Sequence, residues 1–310
     1  MDPVVLDISR LISRAKRSVP TGIDRVEMAY AQHLIATARG RLTFAAMTGV
    51  GRFGPLPKTR AEAFIAAMQK RWHGHAGRAD LPAMALSLQT AAALTGEAAL
   101  HRRLKAAGGT PRYLIVSHHH LDKPASIRRL RAATGAKFIC LVHDLIPIEF
   151  PKFARKGQPE RHAKRMRTVA KFADAVIVNS KSTGIALQPV LDAAARHPSV
   201  TCAHLGFDPP TRMAAGPPPE NPYFVYVATI EPRKNHLLLF ELWRKLAAEM
   251  KGATPKLHLI GARGWNTDGI VDLLDTSPAL REVVIEHKGL SDEAMEDLLI
   301  GARASVPGLC

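Results

Sequence analysis

The stretch Tyr223–His236 reads YFVYVATIEPRKNH, and its interpretation decides the fold. Four bulky apolar residues, Phe224, Val225, Tyr226 and Val227, form a short run of the kind that makes a buried strand. The run breaks at Thr229-Ile230-Glu231-Pro232. It then delivers Arg233 and Lys234 immediately before an apolar-periodic segment, Leu237 to Met250, that predicts a helix. A strand leading into a loop with two cations at a helix start is a device for holding phosphate. The helix end offers free N–H groups and partial positive charge, and the side chains add full charges. An enzyme that stabilises a departing diphosphate would be built this way.

The same rhythm extends in both directions. Toward the C-terminus the pattern predicts strands at Leu257–Ile260 and Val283–Glu286, with helices at 268–275 and Ser291–Ala302. Toward the N-terminus, Pro209–Pro222 reads PPTRMAAGPPPENP, whose prolines forbid both a helix and a central strand. This segment, 209–222, is the expected linker between a domain over 1–208 and a second over 223–310. In the first domain, strands are expected at Val4–Ile8, Thr43–Met47, Tyr113–Val116, Lys137–Val142 and Ala175–Val178. Helices are expected at Gly22–Thr37, within Ala61–Gly109, and at Ser126–Thr134, Arg161–Phe172 and Thr183–Leu191. Strands alternating with helices imply an α/β protein with parallel sheets in both halves. Ligands of such sheets sit beyond the carboxyl ends of the strands, which selects the polar residues found there.

Composition bounds the function. With 310 residues, 46% hydrophobic and 23% charged, the chain is expected to be a globular protein of about two domains. No apolar run is long enough to span a bilayer, and the N-terminus MDPVVLDISRL lacks a signal-peptide layout, so a cytoplasmic location is the default. Cys140, Cys202 and Cys310 match no disulfide or metal spacing. The net charge is +16, yet residues 221–310 hold ten basic and twelve acidic residues, which leaves +18 on the rest. Such a half can face an anionic lipid surface or a charged substrate. Nucleic acid is not expected, because no recognisable motif or aromatic interleaving accompanies the charge. Free use of arginine on solvated faces explains much of the excess equally well. No G-x-G-x-x-G follows a predicted strand, which argues against a nicotinamide dehydrogenase.

Taken in order, TGIDRVE, VSHHHLD, VHDLIPIEFP, ADAVIVNSKST, HLGFD and TIEPRKNH resemble a retaining GT-B glycosyltransferase of the large group 1 family, GT4. The resemblance covers nearly the whole chain. It implies two Rossmann-like domains, a cleft between them and transfer of a hexose, with GDP-mannose one candidate donor, from a nucleotide-diphosphate sugar to a hydroxyl. It implies retention of configuration and no required metal or other cofactor. The acceptor would be lipid-linked or a polysaccharide, as in surface polysaccharide or glycolipid assembly, with peripheral contact to the inner membrane face. It also implies a following strand and a glutamate-bearing loop that binds the donor sugar and ribose. The chain ends at GARASVPGLC without those glutamates, so a truncated product is expected. The alternative is a non-catalytic remnant that binds nucleotide sugar or a partner protein.

The resemblance assigns Lys234 to the donor phosphate, with Arg233 standing in for a basic residue that would otherwise fall near Thr229. It places His143 in the catalytic cleft beside the sugar, with Asp144 orienting it or binding a hydroxyl and Glu149 a weaker candidate. Gly22 and Arg25, with Thr21 and Asp24, form the first strand-to-helix entry. There glycine allows close backbone approach, and the nearby Arg14–Arg17 run reaches toward an anionic acceptor. A simple turn explains Gly22 and Arg25 as well. Of His118, His119 and His120, alternation on an extended segment argues against one shared metal ion, and His118 is the expected substrate-facing residue. Ser180, with Asn179 and Thr183, can bind substrate or cap a helix. Glu231 belongs to the phosphate loop. Gly261, Arg263, Gly264 and Trp265 form the loop expected near the nucleotide base.

Overall fold

The computed structural model describes residues 2–75, 79–194, 196–206, 221–265 and 267–306. They separate into two compact units, Met1–Gly206 and Phe207–Cys310. Most of the proline-rich stretch 209–222 lies outside the described residues.

In the first unit the order is β1 (Val4–Asp7), α1 (Ser9–Ser13), α2 (Gly22–Thr37), β2 (Leu42–Met47), β3 (Phe53–Pro55), α3 (Lys58–Trp72) and α4 (Leu81–Ala107). Then come β4 (Arg112–Ile115), α5 (Pro124–Thr134), β5 (Lys137–Val142), α6 (Ile146–Glu149), α7 (Gln158–Phe172), β6 (Ala175–Val178), α8 (Lys181–Asp192) and β7 (Ser199–Cys202). The sheet runs β3-β2-β1-β4-β5-β6-β7. All neighbours are parallel except β3, which pairs antiparallel with β2. The parallel sheet expected from sequence is present, with one antiparallel strand added at its edge. Three residues containing Gly54 and Pro55 carry too little pattern to be seen in advance.

Alternation along the strands sends successive residues to two cores. Val5, Tyr113, Ile115, Phe138, Cys140 and Val142 pack on one side. Leu6, Ile8, Leu114, Val116 and Leu141 pack on the other. Burying a sheet on both faces requires the near-continuous apolar runs seen here.

The second unit holds β8 (Tyr223–Val227), α9 (His236–Met250), β9 (Lys256–Ile260), α10 (Asp268–Thr276), α11 (Pro278–Val283), β10 (Val284–His287), α12 (Asp292–Ile300) and β11 (Ala304–Ser305). Its sheet order is β10-β9-β8-β11, all parallel. It has four strands where the sequence predicts three. Ala304–Ser305 is only two residues long and exposed, so it gives no apolar signal. One core forms, from Tyr226, Leu257, Leu259 and Val284 against Leu239, Phe240 and Trp243 of α9 and Ile270, Leu274 and Leu280. On the opposite face Val227 and Ile285 remain 45% and 39% exposed.

The chain changes direction across each sheet at one place. In the first unit β1 lies between β2 and β4, and in the second β8 lies between β9 and β11. These are the switch points at which open α/β sheets bind ligands. The loops leaving β1 and β4, and the loop leaving β8, therefore have the positions that matter. No described helix is long and apolar enough to cross a membrane.

Candidate functional site

The loop leaving β8 is built as a rigid pedestal. Pro232–Lys234 make one 3-10 turn, and Asn235 follows with φ of 50°. Asparagine tolerates this left-handed conformation better than most residues. The Lys234 amide donates to the Glu231 carbonyl at 3.0 Å, and the Tyr226 hydroxyl donates to the Lys234 carbonyl at 2.6 Å. Both backbone groups of Lys234 are thereby fixed. Helix α9 begins at once, with no side-chain cap and no acidic residue in its first turn. Two cations before a bare helix N-terminus oppose the helix dipole, an arrangement that favours a bound anion.

Arg233 and Glu231 do not act independently. Arg233 donates to the Glu231 carboxylate at 2.6 Å, and Glu231 is only 3% exposed. Arg233 therefore compensates a buried carboxylate. Beside it, His236 is fully buried, with its ring 5.0 Å from that of Tyr226. Neither ring nitrogen meets hydrogen-bond geometry. Burial lowers its pKa, and the nearby Glu231 backbone partly restores it.

The glycine loop after β9 has a packing role first. A Cβ at Gly261 would lie 2.0 Å from the Ala228 carbonyl oxygen. Only glycine lets the two strand exits run side by side, joined by Ala228 N–H to Ile260 O and Ile230 N–H to Ala262 O, each 3.0 Å. Arg263 is held by Asp275 and Glu286 at 2.6–3.0 Å, and these two carboxylates keep it protonated. It is thus an internal clamp. Trp265 is half-buried in the same loop.

In the first unit, His143 and Asp144 leave β5 and line a cavity of about 590 Å³. Glu149, Phe150, Asn179, Ser180, Ser182, Thr183 and His204 line it too. His143 Nε2 lies 2.8 Å from the Val116 carbonyl. A carbonyl only accepts, so Nε2 carries the proton and Nδ1 keeps the lone pair. Burial lowers the His143 pKa, opposed by that hydrogen bond and by Asp144. The ring is therefore neutral near pH 7. One Asp144 carboxylate oxygen accepts the Ile146 amide at 3.2 Å, and the Asp144 carbonyl receives His162 at 3.0 Å.

His118 stands behind His143 and is not among the residues lining this cavity. Its Nε2 accepts the His143 amide at 3.2 Å, and its ring packs against His143 and His162 at 5.3 and 4.9 Å. Burial first, then these two neighbours, push its pKa well down. Among the described residues no His, Cys, Asp and Glu group could hold a metal ion.

Ser180 is the N-cap of α8, accepting the Thr183 amide at 3.1 Å, and it also lines the cavity. Both roles open from the sequence are thus compatible with its position. Gly22 opens α2, and a methyl group there would meet nothing within 4 Å, so no protein contact demands glycine. Arg25 is exposed on the same turn. Asp24 is fully buried, which removes it from any ligand surface. Instead it accepts from Thr21, Arg10 and Arg14. The sequence reading missed Phe150, 49% exposed at the cavity, because a single aromatic after a turn carries no pattern.

No protein-family model matches the chain. Its fold is of the GT-B type. Trehalose-6-phosphate synthase OtsA superposes with a TM-score of 0.55 at 11% identity, covering 98% of this chain and 78% of OtsA. An Escherichia coli structure bound with UDP-2-fluoro glucose gives 0.52, again covering 98% and 77%. In sequence, the chain is similar to the serotype-specific mannosyltransferase WbdA of Escherichia coli, 28% identical over 214 residues. That match covers 62% of this chain and 25% of WbdA, so the chain spans about a quarter of the relative's length.

Proposed function

We propose that this chain carries a glycosyltransferase function: transfer of a hexose, with mannose the favoured sugar, from a nucleotide-diphosphate donor to a hydroxyl of a glycan acceptor. The carrying observation is the turn Pro232–Lys234, pinned at both backbone groups of Lys234 and set before an uncapped helix. The GT-B fold and the similarity to a mannosyltransferase support the reading. They support polysaccharide synthesis as its setting.

In this reading Lys234 and the first N–H groups of α9 receive the diphosphate as it leaves. Arg233 holds the turn's shape through Glu231. Removing one such donor typically costs roughly 10²-fold or more in rate. The first unit's cavity takes a sugar, with Phe150 offering an apolar face and His143 Nδ1, Asp144 and Asn179 offering polar groups to hydroxyls. Retention of configuration, and an acceptor on a lipid or at a membrane face, complete the proposal.

The test is incubation of the purified chain with GDP-mannose and a mannoside acceptor, following release of GDP and growth of the glycan. Release coupled to transfer supports the assignment. Binding without release points to a nucleotide-sugar-binding protein, and absence of both contradicts the proposal.

A further inference from the structure

The first unit carries a second cluster of charge that the transfer chemistry above leaves unused. It sits at the switch point, where α1 leaves β1 and the segment Ser117–Asp122 leaves β4. On one side, Arg10 Nε lies 2.5 Å and Arg14 Nε 3.3 Å from the same oxygen of buried Asp24. Arg10 also reaches the Thr21 hydroxyl at 3.1 Å. On the other side, α7 packs His162 on His118 and presents Arg161 and Arg165, four residues apart, on one stripe. Arg161 pairs with Asp122 at 2.7 Å. Arg165 is half-buried, its Nε is inaccessible, and among the described residues no hydrogen bond or ion pair reaches its guanidinium.

Four guanidinium groups thus share two carboxylates. His118, His119 and His120 lie among them, and burial holds all three below the ordinary histidine range, with Arg10 and Arg14 adding to the effect on His119. They neither add nor cancel charge. Arg165 shares its nearest carboxylate, Asp122, with Arg161, so a partly desolvated cation is left under-compensated unless a further anion binds. Burial, then Arg161, disfavours the charged form of Arg165, Asp122 opposes them in part, and Arg10 adds to the effect. A guanidinium fork matches two oxygens of a phosphate or carboxylate. The cluster also adjoins the cavity, because His118 touches both α7 and the His143 backbone.

Building on the glycosyltransferase reading, we propose that Arg10, Arg14 and Arg165 recognise an acid group, phosphate or carboxylate, carried by the acceptor sugar. The acceptor class is therefore an acidic glycan and not a neutral one. Arg165 binds the acid group directly, while Arg10 and Arg14 complete the positive wall from the side of β1.

The experiment is calorimetric titration of the intact chain with mannose 6-phosphate, glucuronic acid, methyl mannoside and inorganic phosphate. The variants are Arg165→Gln and the double variant Arg14→Gln, Arg165→Gln. At least one acid sugar is expected to bind tenfold or more tightly than methyl mannoside. Arg165→Gln is expected to weaken it roughly 10- to 100-fold, with methyl mannoside binding unchanged. The proposal is overturned by equal affinity for acid and neutral sugars, or by a preference that survives in the double variant. Inorganic phosphate binding as tightly as the phosphosugar also overturns it, since no sugar contact would then accompany the anion. GDP binding measured on the same samples checks the variants' folding. If the parent chain fails to bind GDP, the glycosyltransferase reading falls, while the ranking of the four ligands still reports on this site.

Discussion

The two units answer the same sheet pattern differently. The first covers both faces of its seven strands, with separate cores around Phe138 and Phe44. The second has one core on one face, while on the other Val225 and Ile260 are buried but Val227 and Ile285 stay exposed. Their strand-end loops differ too. His143 in the first unit is a neutral imidazole fixed by backbone partners, whereas the loop leaving β8 projects Lys234 from an uncapped helix start. A sheet buried on both sides is a stable frame on which polar groups can be buried. A sheet covered only in part on its second side buries less apolar area, and a ligand that binds only its folded form adds directly to its stability.

The largest expected effect tests that contrast. Phe240 is fully buried in the second unit's core, so Phe240→Ala should cost about 3–5 kcal/mol there. Hydrogen exchange should show rapid exchange in β8–β10 with β1–β6 still protected. Uniform loss of protection in both units would break the contrast.

Next comes a carboxylic acid fully buried in the first unit. Glu27 is fully buried, accepts the Leu11 amide at 3.0 Å, and has its pKa pushed up to about 8 by burial. The folded state therefore holds a proton that the unfolded state releases near the ordinary glutamate value of 4.5. This contribution to stability is complete below that value and is lost as pH rises toward 8. Glu27→Gln keeps the neutral form at every pH. It should stabilise the first unit by about 3 kcal/mol at pH 7, with no gain near pH 4. Thermal melts across that pH range read the effect, and a gain independent of pH would contradict it.

A smaller effect separates the two cations of the phosphate turn. Arg233→Ala leaves buried Glu231 without its partner and should cost about 1–3 kcal/mol of second-unit stability. Lys234→Ala, which keeps both backbone hydrogen bonds of that residue and strands no buried carboxylate, should cost less. Equal destabilisation by both in a denaturant titration would mean that Lys234 is structural. The smallest effect is at the cap of α8, where Ser180→Ala should cost about 1 kcal/mol. A much larger loss of acceptor binding in that variant would show that its hydroxyl also contacts the sugar.

Much of this was legible in the residues. The apolar runs Tyr223–Val227 and Lys137–Val142 mark strands that the fold contains, and the strand-end rule names His143, Ser180 and Lys234 as candidates. Elements without an apolar pattern stayed hidden. β7 is exposed at all four positions, α6 and α11 are four and six residues long, and β3 is a three-residue antiparallel edge. Partnerships stayed hidden as well, because charge type does not reveal which charges pair. Arg233 with Glu231, Arg263 with Asp275 and Glu286, and His118 behind His143 depend on distances that the fold alone sets. So does the sharing of Asp24 between Arg10 and Arg14.

The most direct test is the affinity of GDP and GDP-mannose for the parent chain and for Lys234→Ala, measured by calorimetry at two salt concentrations. Loss of one charged phosphate contact predicts roughly 10- to 100-fold weaker binding in the variant and a shallower salt dependence. Affinity and salt dependence identical in the two proteins would contradict the phosphate role of the turn, and with it the assignment of this chain to sugar transfer.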